Sequence, residues 1–278
     1  MGQVTRTRAA QLAKETLHIL EAGRYEAETG RAVDIAEVLR RAVAGTVSYP
    51  PDRYLPYSHL GDKATRVEVV NESTLVAARK MVDAGIRPAA LNFASAKHPG
   101  GGFLNGARAQ EESLARSSGL YACLAGNEMY EFHRARGDAM YSNYAIYSPD
   151  VPVFRTDEGD LLAQPYLCSF ITSPAVNAKV VLERDPSRGD AIREEMWERI
   201  LKVLAIAVEH NHEALVLGAW GCGVFRNDGQ EIAKLFRQAL REQFRGAFSH
   251  VVFAILDTSE EERFIGPFRR VFGNWKSN

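Results

Sequence analysis

Residues 98–121 read HPGGGFLNGARAQEESLARSSGLY, with Gly100, Gly101 and Gly102 in a row, then seven residues, then Gln110, Glu111 and Glu112 at the start of an expected helix. Glycines let a ligand approach the backbone closely, and their amides can converge on anionic oxygens. Two carboxylates at the same place would repel an anion, so their task must be something other than charge attraction. A second stretch, GAWGCGVFRND over 218–228, frees the backbone again with Gly218, Gly221 and Gly223. Two glycine loops, each leaving a strand and leading into a helix, would offer two banks of amides and two helix N-termini to one ligand. That arrangement suits a diphosphate. Neither loop has the GxxxxGK[ST] pattern of a P-loop or the GxGxxG pattern of a dinucleotide fold. Taken singly, each feature also has a plain structural explanation, as a turn glycine or as an acid in the first turn of a helix.

The elements that must position these residues follow from periodicity and punctuation. Apolar positions over 4–21 ending before Gly23 predict a surface helix, RYEAETGRAV a hairpin around Thr29 and Gly30, and Asp34 the cap of a helix to Ala44. Three prolines in SYPPDRYLPY exclude a helix there, and a boundary near residue 60 separates an N-terminal extension (1–60) from a main domain (61–278). Strands are expected at RVEVVN, AALNFAS, YLCSFITSPA, ALVLGAW and HVVFAIL, and helices over 74–84, 111–124, 193–210 and 230–244. The stretch 125–165 is expected to be loops with one or two brief strands. Strands alternating with helices at this spacing predict a layered α/β fold, with ligands at the carboxyl ends of the strands.

With 46% hydrophobic and 25% charged residues, the 278-residue chain has the mix of an ordinary globular protein with a sizeable core. Its 34 basic and 35 acidic residues argue against nucleic-acid binding through global positive charge, so a polyanion must be recognised locally. Three cysteines without CxxC spacing fit neither a disulfide framework nor a zinc site, and a reducing cytoplasm is the expected location. No signal peptide or membrane span is expected. His210 and His212, in EHNHE at a helix end, read as structural rather than metal-binding. Cys222 has no histidine placed beside it by sequence and no sign of activation, so a nucleophilic role is not expected.

The pairing GGGFLNGARAQEE, with LNFAS before it and LVLGAWGCGVFRND later, resembles the signature of the poly(ADP-ribose) glycohydrolases, specifically the compact bacterial type. GRAVDI and YSPDVPVFR are also similar to this group, so the resemblance spans most of the chain. It implies a macrodomain-like α/β/α fold with a central mixed sheet and a mainly helical N-terminal extension, binding poly(ADP-ribose) chains, ADP-ribose and ADP-ribosylated proteins, without cofactor, metal, DNA or membrane partners. The implied reaction hydrolyses ribose-to-ribose O-glycosidic bonds. It requires a proton for the departing hydroxyl, an oxocarbenium-like transition state and a base to activate water. A glutamate near its ordinary pKa of ~4.3 is a poor acid at neutral pH, so the acting one should sit in a desolvated cleft. By its place in the motif Glu112 is the acid and base; Glu111 orients ribose and Gln110 steadies the pair. Gly100, Gly101, Gly102, Gly221, Cys222, Gly223 and Val224 form the phosphate loops. Phe225 packs on the terminal ribose, and Asn92, counted among the substrate-binding residues, stands with Ser95 where the animal-type members carry an Asp and an Asn before the glycines, a departure from that pattern. Adenine needs an apolar or aromatic platform, for which the tyrosine-rich middle segment is a source. Two other readings use the same loops: an ADP-ribose reader without catalysis, and a hydrolase of mono-ADP-ribosylated proteins.

Overall fold

The structure, a computed structural model, describes residues 4–276; Met1 to Gln3 and the last two residues lie outside the described chain. Helix α1 (Arg6–Ala22) starts where Thr5 Oγ1 accepts the Arg8 amide at 3.2 Å and stops at Gly23, in the left-handed region at φ +66°. A hairpin of β1 (Arg24–Glu26) and β2 (Ala32–Asp34) follows, and Asp34 Oδ1 caps the Ala36 amide at the start of α2 (Ala36–Ala44). Then come β3 (Val47–Tyr49), β4 (Arg66–Val70), α3 (Thr74–Asp83) capped by Ser73, and β5 (Pro88–Phe93). After the glycine turn lie α4 (Gln110–Ser117), α5 (Leu120–Leu124), α6 (Glu128–Arg136), β6 (Ala145–Arg155) and β7 (Leu161–Ser173). The chain finishes with α7 (Ala178–Arg184), α8 (Gly189–Glu209), β8 (Ala214–Leu217), α9 (Gly229–Gln238), β9 (His250–Ala254) and α10 (Ile265–Phe272).

Seven strands form one mixed sheet in the order β3-β6-β7-β5-β8-β9-β4. β6 pairs antiparallel with both β3 and β7, while β7, β5, β8, β9 and β4 pair in parallel in that order. Strand alternation sends Ala89 and Leu91 of β5 into a core with Ile200, Leu204, Phe236 and Phe268, and Ala90 into a core on the other face with Leu75, Ala78 and Leu120. Helices thus cover both faces, giving the three α/β/α layers expected. β5 and β8 are adjacent and parallel, with Ala90 opposite Val216, so their glycine loops leave the sheet side by side.

The structure departs from the sequence expectation in four respects. Over 125–165 it holds α6, all of the eleven-residue β6 and the start of β7. Pro149 and Pro152 disguise β6: Pro149 falls in the register shift between Ser148 and Val151, and Pro152, paired with Leu167, lies beyond the residues 145–147 that pair with β3. The single helix expected over 111–124 breaks at Ser118, which is extended and bridges to Val153, while Gly119 donates its amide to Pro152 O at 2.9 Å. Helices α7 and α10 were not anticipated. The segment before residue 60 also contributes β3 to the main sheet. No helix among the described residues is long and apolar enough to cross a membrane.

The N-terminal segment is anchored beside the site by Thr16, fully buried, whose Oγ1 donates to Arg116 O of α4 at 2.5 Å. Thr16→Val keeps the shape and leaves that carbonyl unpaired, so it should lower the unfolding free energy by about 1–3 kcal/mol, seen as a lower urea midpoint with an unchanged slope, while Thr16→Ser should restore most of it.

Candidate active site

Beyond β5 the backbone passes through Gly100 and Gly101 at φ +66° and +59°, a region costly for any residue with a Cβ. This turn brings the Gly102 amide to Glu112 Oε1 at 2.9 Å. A Cβ on Gly101 would collide with Glu112 Oε1 and sit 3.0 Å from Glu111 Oε2, so the glycine is required by the two carboxyl groups themselves. Glu111 is held from the opposite side: Ser95 donates its amide to Oε2 at 2.6 Å, and Asn92 Nδ2 reaches Oε1 at 3.4 Å and Thr172 Oγ1 at 3.2 Å. Gln110 stitches the start of α4 to the end of β5, accepting the Phe93 amide at 2.9 Å and donating to Leu91 O at 2.7 Å and Thr74 Oγ1 at 3.1 Å. At this loop-to-helix junction consecutive glutamates, only 3% and 9% exposed, reach the same cleft.

The β8 loop forms the facing wall. Gly221, at φ +73°, has no room for a Cβ between Asn227 and Ala175. Asn227 Nδ2 donates to Val176 O at 2.8 Å and Gly221 O at 3.1 Å, and buried Trp220 donates from Nε1 to Ser173 O at 3.2 Å. Phe225 is set by the Lys179 amide, which donates to its carbonyl at 2.8 Å, and by the Tyr141 ring 6.2 Å away. The cleft between the loops measures about 490 Å³ and is lined by Gly101, Gly102, Gln110, Glu111, Glu112, Gly221, Gly223, Val224 and Phe225, together with Ser95, His98 and Asn105. A second cavity of about 330 Å³ shares Phe93, Ala109, Gln110, Ala219 and Gly223 with it and is closed by Ile255, Leu256 and Phe264.

Three of the expected site residues stand behind the walls. Asn92 is fully buried and its amide turns to Glu111; Gly100 packs on Phe103 and Ala115; Cys222 is buried with its thiol 3.6 Å from Trp220 O.

Residues 13–156 match the family model described as microbial-type PARG, catalytic domain. The fold is similar to the crystal structure of poly(ADP-ribose) glycohydrolase from Thermomonospora curvata, at 48% identity and a TM-score of 0.90 over 95% of this chain and 99% of that one. The chain belongs to the microbial-type poly(ADP-ribose) glycohydrolases. The glycohydrolase from Deinococcus radiodurans in complex with ADP-ribose is similar at 42% identity and a TM-score of 0.80, over 84% of this chain and 96% of that one. The T. curvata glycohydrolase bound to the inhibitor ADP-HPD is similar at 48% identity and a TM-score of 0.88, over 94% of this chain and 98% of that one. A search of curated proteins found no match.

In this glycohydrolase, burial pushes the Glu111 carboxyl up to about 8, against the hydrogen bond from Ser95, and the charge of Glu112 beside it adds to the rise. Burial also pushes the Cys222 thiol up to about 12, which leaves it an inert thiol. His210 and His212 spend a ring nitrogen each on Tyr49 and Tyr147 hydroxyls at 2.8 Å, the structural role expected of them. The middle segment reaches the second cavity through Asp157 and not through a tyrosine, and the cavity's apolar end comes from the turn after β9. The sequence reading passed over that turn. Its signal is Asp257, which gathers the amides of Ser259, Phe264 and Ile265 at 2.6–3.0 Å and so shapes the wall bearing Leu256 and Phe264.

Because the fold favours neutral Glu111, the stability it contributes is complete below pH ~4.3 and is lost as the pH rises through about 8. Glu111→Gln removes that loss: its unfolding free energy relative to wild type, read from urea melts, should rise between pH 5 and about pH 8 by up to about 1.4 kcal/mol per pH unit. Gly101→Ala should destabilise the protein by roughly 1–3 kcal/mol and abolish activity, since its methyl displaces both carboxyl groups; thermal melts and turnover assays check this.

Proposed function

We propose that this glycohydrolase cleaves the ribose-to-ribose bonds of poly(ADP-ribose) with Glu112 as acid and base. The observation that carries the assignment is the state of its two oxygens. Oε1 is anchored by the Gly102 amide, whereas Oε2 is buried and has no hydrogen-bond partner among the described residues, on a side chain that lines the cleft. A polar atom left in that condition costs free energy that a substrate hydrogen bond would recover.

In the reaction the proton held by the neighbouring Glu111 and Glu112 carboxyl groups is delivered by Glu112 to the oxygen of the departing ribose hydroxyl as the bond from that oxygen to the anomeric carbon breaks. The oxocarbenium-like carbon then takes the oxygen of a water, and the Glu112 carboxylate recovers a proton from that water. The products are free ADP-ribose and a chain shorter by one unit. Glu111, kept protonated near neutral pH by burial, orients the ribose hydroxyls and limits the negative charge facing the substrate diphosphate. The Gly221, Gly223 and Val224 amides of the β8 loop take the diphosphate, since Gly101 and Gly102 spend theirs on His98 O and Glu112 Oε1; Phe225 packs on the ribose, and the second cavity receives adenosine against Leu256 and Phe264. Asn92, Gln110 and Gly100 act from behind by fixing the glutamates and the turn. The ADP-HPD and ADP-ribose complexes of the T. curvata and D. radiodurans relatives support the same ligand here. We place the protein in the cytoplasm, acting on chains carried by ADP-ribosylated proteins; its three cysteines are buried and unpaired, as a reducing compartment favours.

The test incubates purified protein with poly(ADP-ribose) and a chelator, wild type beside Glu112→Gln, and reads free ADP-ribose by chromatography. The variant should lose at least about 10²-fold in kcat while binding ADP-ribose as wild type does. Full activity in the variant removes Glu112 from this role, and a wild type that binds ADP-ribose but leaves every chain intact would make the protein a reader.

A further inference from the structure

The bond that breaks joins two ADP-ribose units, and the cleft with its second cavity accommodates one of them. The other, which leaves, must lie outside. Asn105 lines both the cleft and a neighbouring groove of about 470 Å³ on the exposed face of α1, whose other lining residues are Arg6, Thr7, Ala10, Gln11 and Lys14. These positions recur every three or four residues, so they form one stripe along the helix, opposite the buried stripe of Ala9, Leu12, Ala13 and Thr16. The groove sits close to the chemistry, because Asn105 ends a single 3₁₀ turn that begins at Gly102, about 6 Å away by the ~2 Å rise per residue. It is also fixed there. Arg6 Nε donates to Asn105 O at 3.2 Å, and a Cβ on Gly106 would collide with Arg6 O.

Its charge is of one sign. No Asp or Glu lines the groove, in a chain whose acids and bases nearly balance. On the same helix Arg8 spends its charge on Glu15 at 3.2 Å, whereas neither Arg6 nor Lys14 has an ion-pair partner among the described residues. Two cations without counter-charges, with amide and hydroxyl donors between them, suit a diphosphate.

We infer that the α1 groove is a subsite for the leaving unit of poly(ADP-ribose), with Arg6 and Lys14 facing its diphosphate. The inference rests on the hydrolase reading above. It gives the N-terminal segment a direct part in substrate binding and makes chains preferred over any substrate that ends at the scissile ribose. Free ADP-ribose, the product, does not reach this groove.

Lys14→Glu tests this, with Arg31→Glu, an exposed residue of the β1–β2 hairpin, as the control of equal charge change. Steady-state kinetics on poly(ADP-ribose) should show KM raised about three- to ten-fold in Lys14→Glu, a shallower salt dependence of KM, and an unchanged dissociation constant for free ADP-ribose. Arg31→Glu should match wild type in all three. Equal KM values for Lys14→Glu and Arg31→Glu overturn the subsite, as does weaker binding of free ADP-ribose in Lys14→Glu. Loss of affinity for a labelled single-stranded oligonucleotide with no change in KM would assign the groove to nucleic acid instead and overturn it as well. Wild-type turnover of poly(ADP-ribose), measured first, separates failure of this inference from failure of the hydrolase reading.

Discussion

Two neighbouring carboxyl groups buried under a glycine turn are the constraint around which this protein is organised. Removing carboxylates from water is unfavourable, and placing two together adds repulsion. The surroundings answer with backbone amides at Ser95 and Gly102, the Asn92 side chain, and a proton held on Glu111. What they leave unanswered is Glu112 Oε2. The site is therefore rigid at three of its four carboxyl oxygens and open to a partner at the fourth.

That constraint propagates outwards. Gly101 cannot carry a side chain because the carboxyl oxygens occupy its space, and Gln110 must bond β5 on two sides to hold the start of α4 against the sheet edge. α4 is in turn pinned by Thr16 of α1. The opposite wall has its own lock in Asn227 and Trp220, which fix the β8 loop without touching the glutamates. Because β5 and β8 are hydrogen-bonded neighbours, the two walls of the cleft are held at a fixed separation.

A chain with a net charge of -1 handles an anionic polymer by dividing the work. Next to the carboxyl groups the cleft is walled by glycine loops and the start of α4, where a lysine or arginine would pair with Glu111 or Glu112 and neutralise them. Cations stand further out, on α1 and beyond the turn that ends at Asn105. Among the described residues neither glutamate has an ion-pair partner, although Arg116, one turn further along α4, acts on Glu112 through its charge.

Much of this was legible in the sequence because it is local. The triple glycine and the Gln-Glu-Glu run are contiguous, glycine stops and Ser, Thr or Asp caps mark the ends of α1 and α3, and buried strands such as β5 and β8 read as short apolar runs. The long β6–β7 pair was hidden, since prolines and bulges erase the alternation and the pairing that rescues them lies elsewhere in the chain. The roles within the site were divided by folding alone. Sequence placed Asn92, Gly100 and Cys222 at the ligand, but the period of the strand and the turn of the loop carry them behind the walls. The apolar end of the second cavity comes from the turn after β9, some 150 residues from the glutamates. The sequence by itself determined which residues can do the chemistry, since side-chain type and neighbouring glycines are properties of a short stretch. Only the tertiary structure decided which carboxyl is buried and protonated and which keeps a free oxygen, because desolvation and hydrogen bonding depend on what distant segments bring alongside.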